Sequence, residues 1–367
     1  MRWGIEFFSS AVHRPWEADA YWWQVIQDMA ALSGQAEIIC LTHQAATQPS
    51  PGWRQRQVSA VVHRWAPFLF YRWWKQQQPA CVFAVHRPAG LPRWRAGVGG
   101  QIPCILYVSP DDGYPGNGLS LHTKGFQQLW EKLHGRKHLV ICPFPIASHW
   151  ISSLHHVNLY PVPEAIFQPC SWEAEQQRRM QFAAGHPYFL STAVPVQDPK
   201  RVVTWLKAFS VLKKRLQSSV KWIWVLDRRQ FLQAERILLG YAFRQDVLLH
   251  DVEEPATLAA ITSSAYAYLA IGPMRLQWRM ILASLYSEVP VMAVAHPAYQ
   301  ALAEPAGLWI SQEDVEIIAA HWLRLYQDEY LRKKLVQACQ QQRGFTYDSF
   351  LHTLLSHVQS MQAPPTP

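Results

Sequence analysis

Basic side chains stand at two points where an apolar strand pattern gives way to a helical one. Lys200 and Arg201, in DPKRVV, precede the helical pattern VVTWLKAFSVLKKRL. Arg275 lies near the start of GPMRLQWRMILASLYSEVPV, residues 272–291. The N-terminus of a helix binds anions through its free backbone N–H groups, so a cation there suits a phosphate or a carboxylate. These three residues are our candidates for binding an anionic ligand.

Each of these cations also has a purely structural explanation. Lys200 and Arg201 could be solvated charges at the start of a helix, where the macrodipole mildly disfavours them. Arg275 and Arg279 stand one turn apart and could form an exposed basic face. The sequence leaves both explanations open.

The composition indicates a globular protein with a preference for anionic partners. A chain of 367 residues is long for a single core, so we expect two domains. The formal net charge of +8 favours nucleotide phosphates, lipid headgroups or nucleic acid as partners. MRWGIEFF does not resemble a secretory signal, and no window approaches the roughly 20 apolar residues that span a bilayer. The scattered cysteines suit a reducing compartment, so we expect a cytoplasmic protein.

Short apolar runs alternate with longer segments of helical period, which predicts an α/β fold with doubly wound parallel sheets. The predicted strands of the first half are RWGIEFF, AEIICLT, ACVFAV, IPCILYV and HLVICPF. In the second half PYFLSTA, VKWIWVLD, VLLHDV, AYAYLAIG, PVMAVA and GLWIS continue the pattern. The pattern pauses between Tyr160 and Gly185, which indicates a linker and a short helix. We expect domains over residues 1–170 and 171–345, and a terminal helix with a frayed tail over 346–367.

The order of elements from Pro187 to Phe350 resembles the C-terminal half of the GT-B glycosyltransferases of the retaining, GT4-like group. The resemblance rests on PYFLSTAVPVQDPKRVVTWLKAFSVLKKR, KWIWVLD, the run LLHDVEEPATLAAITSSAYAYLAIG with the 272–291 stretch, and AGLWISQEDVEIIAAHWLRLYQDEYLRKKL. IPCILYVSPDDGYP, HLVICPFPIASHWISSL and NLYPVPEAIFQP follow the family's order in the first half. The resemblance implies two Rossmann-like domains that face a cleft. The acceptor side is N-terminal, the donor side is C-terminal, and a final helix crosses back to the N-terminal domain.

On the donor side the resemblance assigns a role to basic residues, and two acids of the family are replaced in this sequence. Lys200 falls on the lysine by which the family binds the donor diphosphate. Val194 replaces the family's arginine, and Arg201 could compensate for it. Arg275 and Ala283 replace the family's two glutamates, so the usual carboxylate grip on the donor ribose is missing. Arg275 could instead bind a phosphate or a carboxylated sugar.

On the acceptor side the resemblance points to polar residues that would line the cleft. His13 and Arg14 lie in the bulky loop after the first strand, and Ser109 takes the place of the family's histidine. Asp111 and Asp112 follow and could act as a general base and as a clamp on a sugar hydroxyl. PDDG is also an ordinary turn sequence, so this pair has a structural alternative.

The segment VVHRWAPFLFYRWWKQQQP, residues 61–79, combines three Lys or Arg residues with six aromatic ones. A helix of this composition could lie on a membrane surface, with its rings at the interface and its cations on anionic headgroups. Alternatively the segment packs on a sheet with snorkelling cations, and Pro67 argues against one uninterrupted helix. No recognised RNA or DNA motif is present, so we do not expect nucleic acid as a partner.

Two functions follow from these residues. The first is transfer of a sugar from a nucleotide-sugar donor to a glycan or lipid-linked acceptor. The resemblance implies that this reaction needs no metal or other cofactor, because side chains and a helix end meet the diphosphate. The second is an inactive pseudo-glycosyltransferase that serves as a binding or scaffold subunit for a protein partner, which the missing acids favour. A GT-B epimerase is a third option.

Overall fold

The chain divides into two compact units in a computed structural model. Unit 1 comprises Met1–His13, Asp19–Val162 and Tyr347–Pro367, and unit 2 comprises Arg14–Ala18 and Pro163–Thr346. The predicted domain limits at residues 170 and 345 remain a prediction. The structure describes residues 2–7, 18–32, 37–42, 53–57, 81–86, 104–108, 138–141, 163–272, 274–341 and 346–362.

Unit 1 contains a parallel six-stranded sheet in the order β3-β2-β1-β4-β5-β6. Its strands are β1 (Arg2–Phe7), β2 (Glu37–Thr42), β3 (Trp53–Gln57), β4 (Cys81–His86), β5 (Cys104–Val108) and β6 (His138–Ile141). Helix α1 (Ala18–Leu32) follows β1 along the chain. The five strands predicted from apolar runs are all present. The edge strand β3, with the sequence WRQRQ, was not predicted.

Unit 2 repeats this architecture with a second parallel sheet in the order β12-β11-β10-β7-β8-β9. Its strands are β7 (Tyr188–Thr192), β8 (Lys221–Val225), β9 (Val247–His250), β10 (Ala267–Ala270), β11 (Val291–Val294) and β12 (Gly307–Ile310). Its helices are α2 (Trp172–Ala183), α3 (Pro199–Leu216), α4 (Arg228–Leu238), α5 (Pro255–Ser263), α6 (Met274–Tyr286), α7 (Pro297–Ala303), α8 (Val315–Gln327) and α9 (Glu329–Gln341). The predicted doubly wound α/β class is confirmed.

An aromatic cluster fixes α3 and α8 against the sheet of unit 2. The Trp322 ring stacks on Phe209 of α3 at a centroid distance of 5.2 Å and meets Trp222 of β8 edge-on at 5.1 Å. All three side chains are fully buried. Because such rings bury large apolar areas and prefer these geometries, the frame beneath the loops of unit 2 is well anchored.

A partly buried charge cluster lies at the amino-terminal edge of the same sheet, where β8 and β9 begin. Asp246 accepts hydrogen bonds from Lys213 at 2.9 Å and from Lys221 at 2.6 Å. Burial raises the pKa of Asp246, but the hydrogen bonds and charges of Lys221 and Lys213 outweigh burial and hold this pKa below its usual range. The carboxylate is therefore a structural anion that stabilises unit 2.

The last helix, α10 (Tyr347–Gln362), packs on α1 within unit 1. The Tyr347 hydroxyl donates to Asp28 Oδ2 at 2.8 Å, and the Phe350 ring lies 6.4 Å from that of Trp22. In the described part of the chain, no helix is both long enough and apolar enough to cross a membrane.

Candidate functional site

The strand order of the second sheet reverses between β7 and β10. The chain runs from β7 outward through β8 and β9, then returns to β10 on the other side of β7 and continues outward. In open parallel sheets this reversal leaves a crevice at the carboxyl ends of the two central strands, and ligands bind there. The loops after β7 and β10, of which residues 193–198 and 271–272 are described, therefore frame the candidate site, and they lead into the two predicted anion-binding helix starts.

The two loops approach each other at Gly272 more closely than a side chain allows. A Cβ atom at this position would lie 2.8 Å from the carbonyl oxygen of Ala193, and closer still to Gln277 Nε2. Ala193 itself has a φ of 47°, which L residues adopt only where their surroundings hold them. The Tyr299 hydroxyl donates to the Gly272 carbonyl at 3.0 Å. The floor of the crevice is therefore a close contact between the backbones of Gly272 and Ala193, and the hydrogen bond from Tyr299 holds Gly272 in place.

A buried polar network fixes the beginning of α6 to the end of β7. Gln277 Nε2 donates to the Thr192 carbonyl at 2.9 Å, and Gln277 Oε1 accepts from the Tyr268 hydroxyl. The Thr192 hydroxyl in turn lies 2.8 Å from the Tyr268 oxygen. All three side chains are fully buried, and burial raises the pKa of Tyr268, so this hydroxyl remains a donor at physiological pH. A satisfied network of this kind favours one loop arrangement.

The N-terminus of α6 opens at this crevice. Its first backbone N–H groups have no partner within the helix and can bind an anion. Arg275 lies in the first helical turn, and its side chain is outside the described set. Ala283, farther along the helix, is fully buried and offers no hydrogen-bonding side chain. The crevice therefore presents backbone donors but no carboxylate from these two positions.

The exposed basic face suggested for Arg275 and Arg279 is wrong for Arg279. This residue is only 2% exposed, and its guanidinium forms an ion pair with Glu164, which is 6% exposed. Glu164 belongs to the segment that enters unit 2 directly after Pro163. The buried carboxylate draws the guanidinium inward, so the spacing of the two arginines does not create a surface patch.

The two adjacent cations at the start of α3 differ in their partners. Lys200 is exposed, and within the described residues its ammonium group has no hydrogen-bond or ion-pair partner. The Arg201 Nε atom donates to Glu313 Oε1 at 2.6 Å, and the same oxygen accepts from Trp205 Nε1. The Asp198 carboxylate caps the helix by accepting from the Arg201 backbone N–H at 3.2 Å. Lys200 is thus available to a ligand, whereas Arg201 already holds a carboxylate.

The predicted acceptor-side residues His13, Arg14, Ser109, Asp111 and Asp112 lie outside the described residues, as does the segment 61–79. Along the chain the first two follow β1 and the other three follow β5. The first sheet also reverses its strand order, between β1 and β4. Sequence reasoning missed Thr192, Tyr268, Gln277 and the ion pair of Glu164 with Arg279.

Neither a scan against protein-family models nor a search of curated proteins finds a match to this sequence. Solved structures do match. WaaG, a glycosyltransferase involved in lipopolysaccharide biosynthesis, aligns with 98% of this chain and 99% of its own at a TM-score of 0.69 and 12% identity. Alr3699/HepE of Anabaena, in complex with UDP and glucose, aligns with 98% of this chain and 100% of its own, at 0.68 and 11%.

A UDP-N-acetylglucosamine 2-epimerase aligns with 100% of this chain and 98% of its own, at a TM-score of 0.61 and 13% identity. Enzymes of two reaction types thus share the fold over their full length, and identities this low establish the fold alone. The predicted GT-B fold, as found in glycosyltransferases and these epimerases, is confirmed, while the GT4-like subgroup remains a prediction.

Proposed function

We propose that this chain is a glycosyltransferase that takes a sugar from a nucleotide-diphosphate donor held at the β7–β10 crevice of unit 2. The observations that carry this proposal are the full-length match to the glycosyltransferase WaaG and the full-length match to Alr3699/HepE, whose structure contains UDP and glucose. A close backbone approach and a helix N-terminus at the crevice support the proposal, and so does the exposed Lys200, which has no ion-pair partner among the described residues.

The chemistry follows from where charge develops. When the bond between the sugar and the diphosphate breaks, negative charge accumulates on the departing phosphate oxygens. Hydrogen-bond donors and cations that are already in position before the reaction stabilise that charge most effectively. Lys200 supplies a full positive charge, and the first N–H groups of α6 supply aligned dipoles, with Arg275 as a further cation. Arg201 can contribute only as part of its ion pair with Glu313, which partly neutralises its positive charge.

Recognition of the nucleoside must differ from the usual carboxylate grip on the ribose, because Ala283 is buried and apolar. We therefore expect the diphosphate to contribute most of the donor affinity, and UDP-, GDP- and ADP-sugars to compete with one another. On the acceptor side, Asp111 and Asp112 would accept protons and hydrogen bonds from a glycan or lipid-linked acceptor, and His13, Arg14 and Ser109 are further candidates for binding it. The reaction would need no metal.

A second candidate is an inactive shell that binds nucleotide or a protein partner without catalysis. The observation in its favour is that acids already occupy the start of α3. Asp198 caps the helix and Glu313 holds Arg201. With Ala283 also apolar, Lys200 and α6 would carry the whole task of leaving-group stabilisation.

Turnover measurements separate these functions. The purified chain is incubated with UDP-, GDP- and ADP-sugars, with and without EDTA, and release of free nucleotide and any sugar product are followed. Release that resists EDTA and falls in Lys200→Ala supports the proposal. Lys207→Ala is the matched control, because Lys207 is exposed on the same helix about 10 Å farther on.

The remaining outcomes contradict transfer. Nucleotide binding without turnover, also when glycan and lipid-linked acceptors are added, indicates the inactive shell, and inversion of the sugar at C2 indicates an epimerase. If binding occurs, we expect Lys200→Ala to weaken it about 10- to 100-fold, as for loss of a hydrogen bond to a charged group. No binding of any of the three nucleotides would refute the proposed site.

A further inference from the structure

Helix α4 carries apolar side chains on the face that should be polar. The helix is amphipathic, and Ala234 and Leu238 bury its inner face. Leu232 and Leu239 are nevertheless 68% and 74% exposed. Seven residues separate them, which is about two helical turns, so both lie on the outer face about 10 Å apart. Scattered exposed leucines are ordinary, but two in register on one short helix form a patch.

Three arginines share this outer face. At about 100° per residue, Arg228, Arg229 and Arg236 fall within roughly the same quarter of the helix circumference as the two leucines. All three are exposed. Glu235, at the border of the face, is its one exposed acid within the described helix, so the outer face has a net charge of about +2. We call Arg228, Arg229, Leu232, Arg236 and Leu239 the α4 stripe.

We propose that the α4 stripe docks this protein on the surface of an anionic phospholipid bilayer. Apolar side chains between cations match the boundary of a bilayer, where leucines enter the acyl region and guanidinium groups remain at the phosphates. The stripe has no aromatic ring on which a nucleic-acid base could stack. The charge of the whole chain, +8, has the same sign as that of the stripe and adds long-range attraction to the anionic surface.

The docking helix is also connected to the candidate site. Gln233 of α4 donates from Nε2 to the carbonyl of Val196, in the loop after β7, at 2.8 Å. A bilayer that contacts α4 would therefore contact the same helix that is hydrogen-bonded to this loop. Docking needs no nucleotide, so it can be tested independently of the proposed function.

Vesicle co-sedimentation tests the docking surface directly. Vesicles of phosphatidylcholine alone are compared with vesicles containing about 30% phosphatidylglycerol, at low and high salt. Wild type should bind the anionic vesicles and be released by salt. Arg229→Gln/Arg236→Gln should weaken binding about 25-fold, and Leu232→Ser/Leu239→Ser about tenfold. These positions are exposed, so we expect wild-type melting temperatures from both variants.

The matched controls lie on α9, where Tyr330 is 80% exposed and Lys333 and Lys334 are exposed. Tyr330→Ser and Lys333→Gln/Lys334→Gln should bind vesicles like wild type. Three outcomes would overturn the proposal. The first is absence of wild-type binding, and the second is wild-type binding by both α4 variants, which would indicate another surface such as residues 61–79. The third is loss only in the arginine variant, which would indicate electrostatic attraction to the lipid surface without entry of the leucines into the acyl region.

Discussion

Replacing Arg279 by methionine removes one half of a buried ion pair and leaves the carboxylate of Glu164 without this cation. The two side chains are 3% and 8% exposed, so water cannot take the place of the lost partner. Methionine keeps most of the volume, so the main effect is electrostatic rather than a cavity. The pair joins α6, whose N-terminus opens at the candidate site, to the segment through which the chain enters unit 2.

The expected cost follows from this burial. Removing one member of a buried pair typically costs about 3–5 kcal/mol, because a desolvated charge remains. For a unit of this size, 1 kcal/mol shifts the melting temperature by about 2–4 °C, so Arg279→Met should melt roughly 10 °C below wild type. The double variant Arg279→Met/Glu164→Leu removes both charges and should recover most of the loss.

Thermal melting and urea unfolding, followed by circular dichroism, measure both effects. Arg215→Met is the control, since Arg215 and Glu316 form an ion pair whose side chains are 59% and 73% exposed, and such pairs contribute at most about 1 kcal/mol. A loss of stability in Arg279→Met no larger than that of the control would contradict the electrostatic role of this pair. A double variant less stable than the single one would contradict it as well.

Three further changes test other parts of the account. Gly272→Ala should cost about 1–3 kcal/mol in thermal melting, because its Cβ would lie 2.8 Å from a backbone oxygen, whereas Gly240→Ala, with open space around the Cβ, should be neutral. Ala283→Glu buries an unpaired charge and should abolish soluble expression, whereas Ala283→Ser should be tolerated; equal yields would contradict this. Because the two lysine partners lower the pKa of Asp246, its stabilisation is present above the unfolded pKa of about 4 and is lost as the pH falls through the folded value. Asp246→Asn should therefore be less stable at pH 7 and lose less stability on acidification than wild type, as acid unfolding curves would reveal.

Most of the fold could be predicted because apolar runs are the dominant signal of buried parallel strands. AEIICLT and VKWIWVLD have almost no polar interruptions, and both form strands. The strand β3 lies at the edge of its sheet and has the sequence WRQRQ. Edge strands carry charged residues that discourage further pairing, so their sequences lack the apolar run on which the prediction depends.

The candidate site was less predictable because its parts interact across the sheet. Lys200 could be found from its place before a helix. The partner of Arg201, however, is Glu313, which lies 112 positions farther along the chain. Gln277 carried a local signal, since it is a polar residue in register with the buried Ile281 and Ser284 of α6. That register indicates burial, but the partners Thr192 and Tyr268 emerge only once β7 and β10 are neighbours.

Hydrogen–deuterium exchange with and without UDP locates a bound nucleotide on the chain as well as detecting it. We expect slower exchange in residues 193–200 and 272–278, where the loop after β7 and the N-terminus of α6 frame the crevice. The protection should weaken in Lys200→Ala and persist in Lys207→Ala. Protection at another edge of the sheet, or unchanged exchange at saturating UDP, would contradict the assignment of this crevice as the nucleotide site.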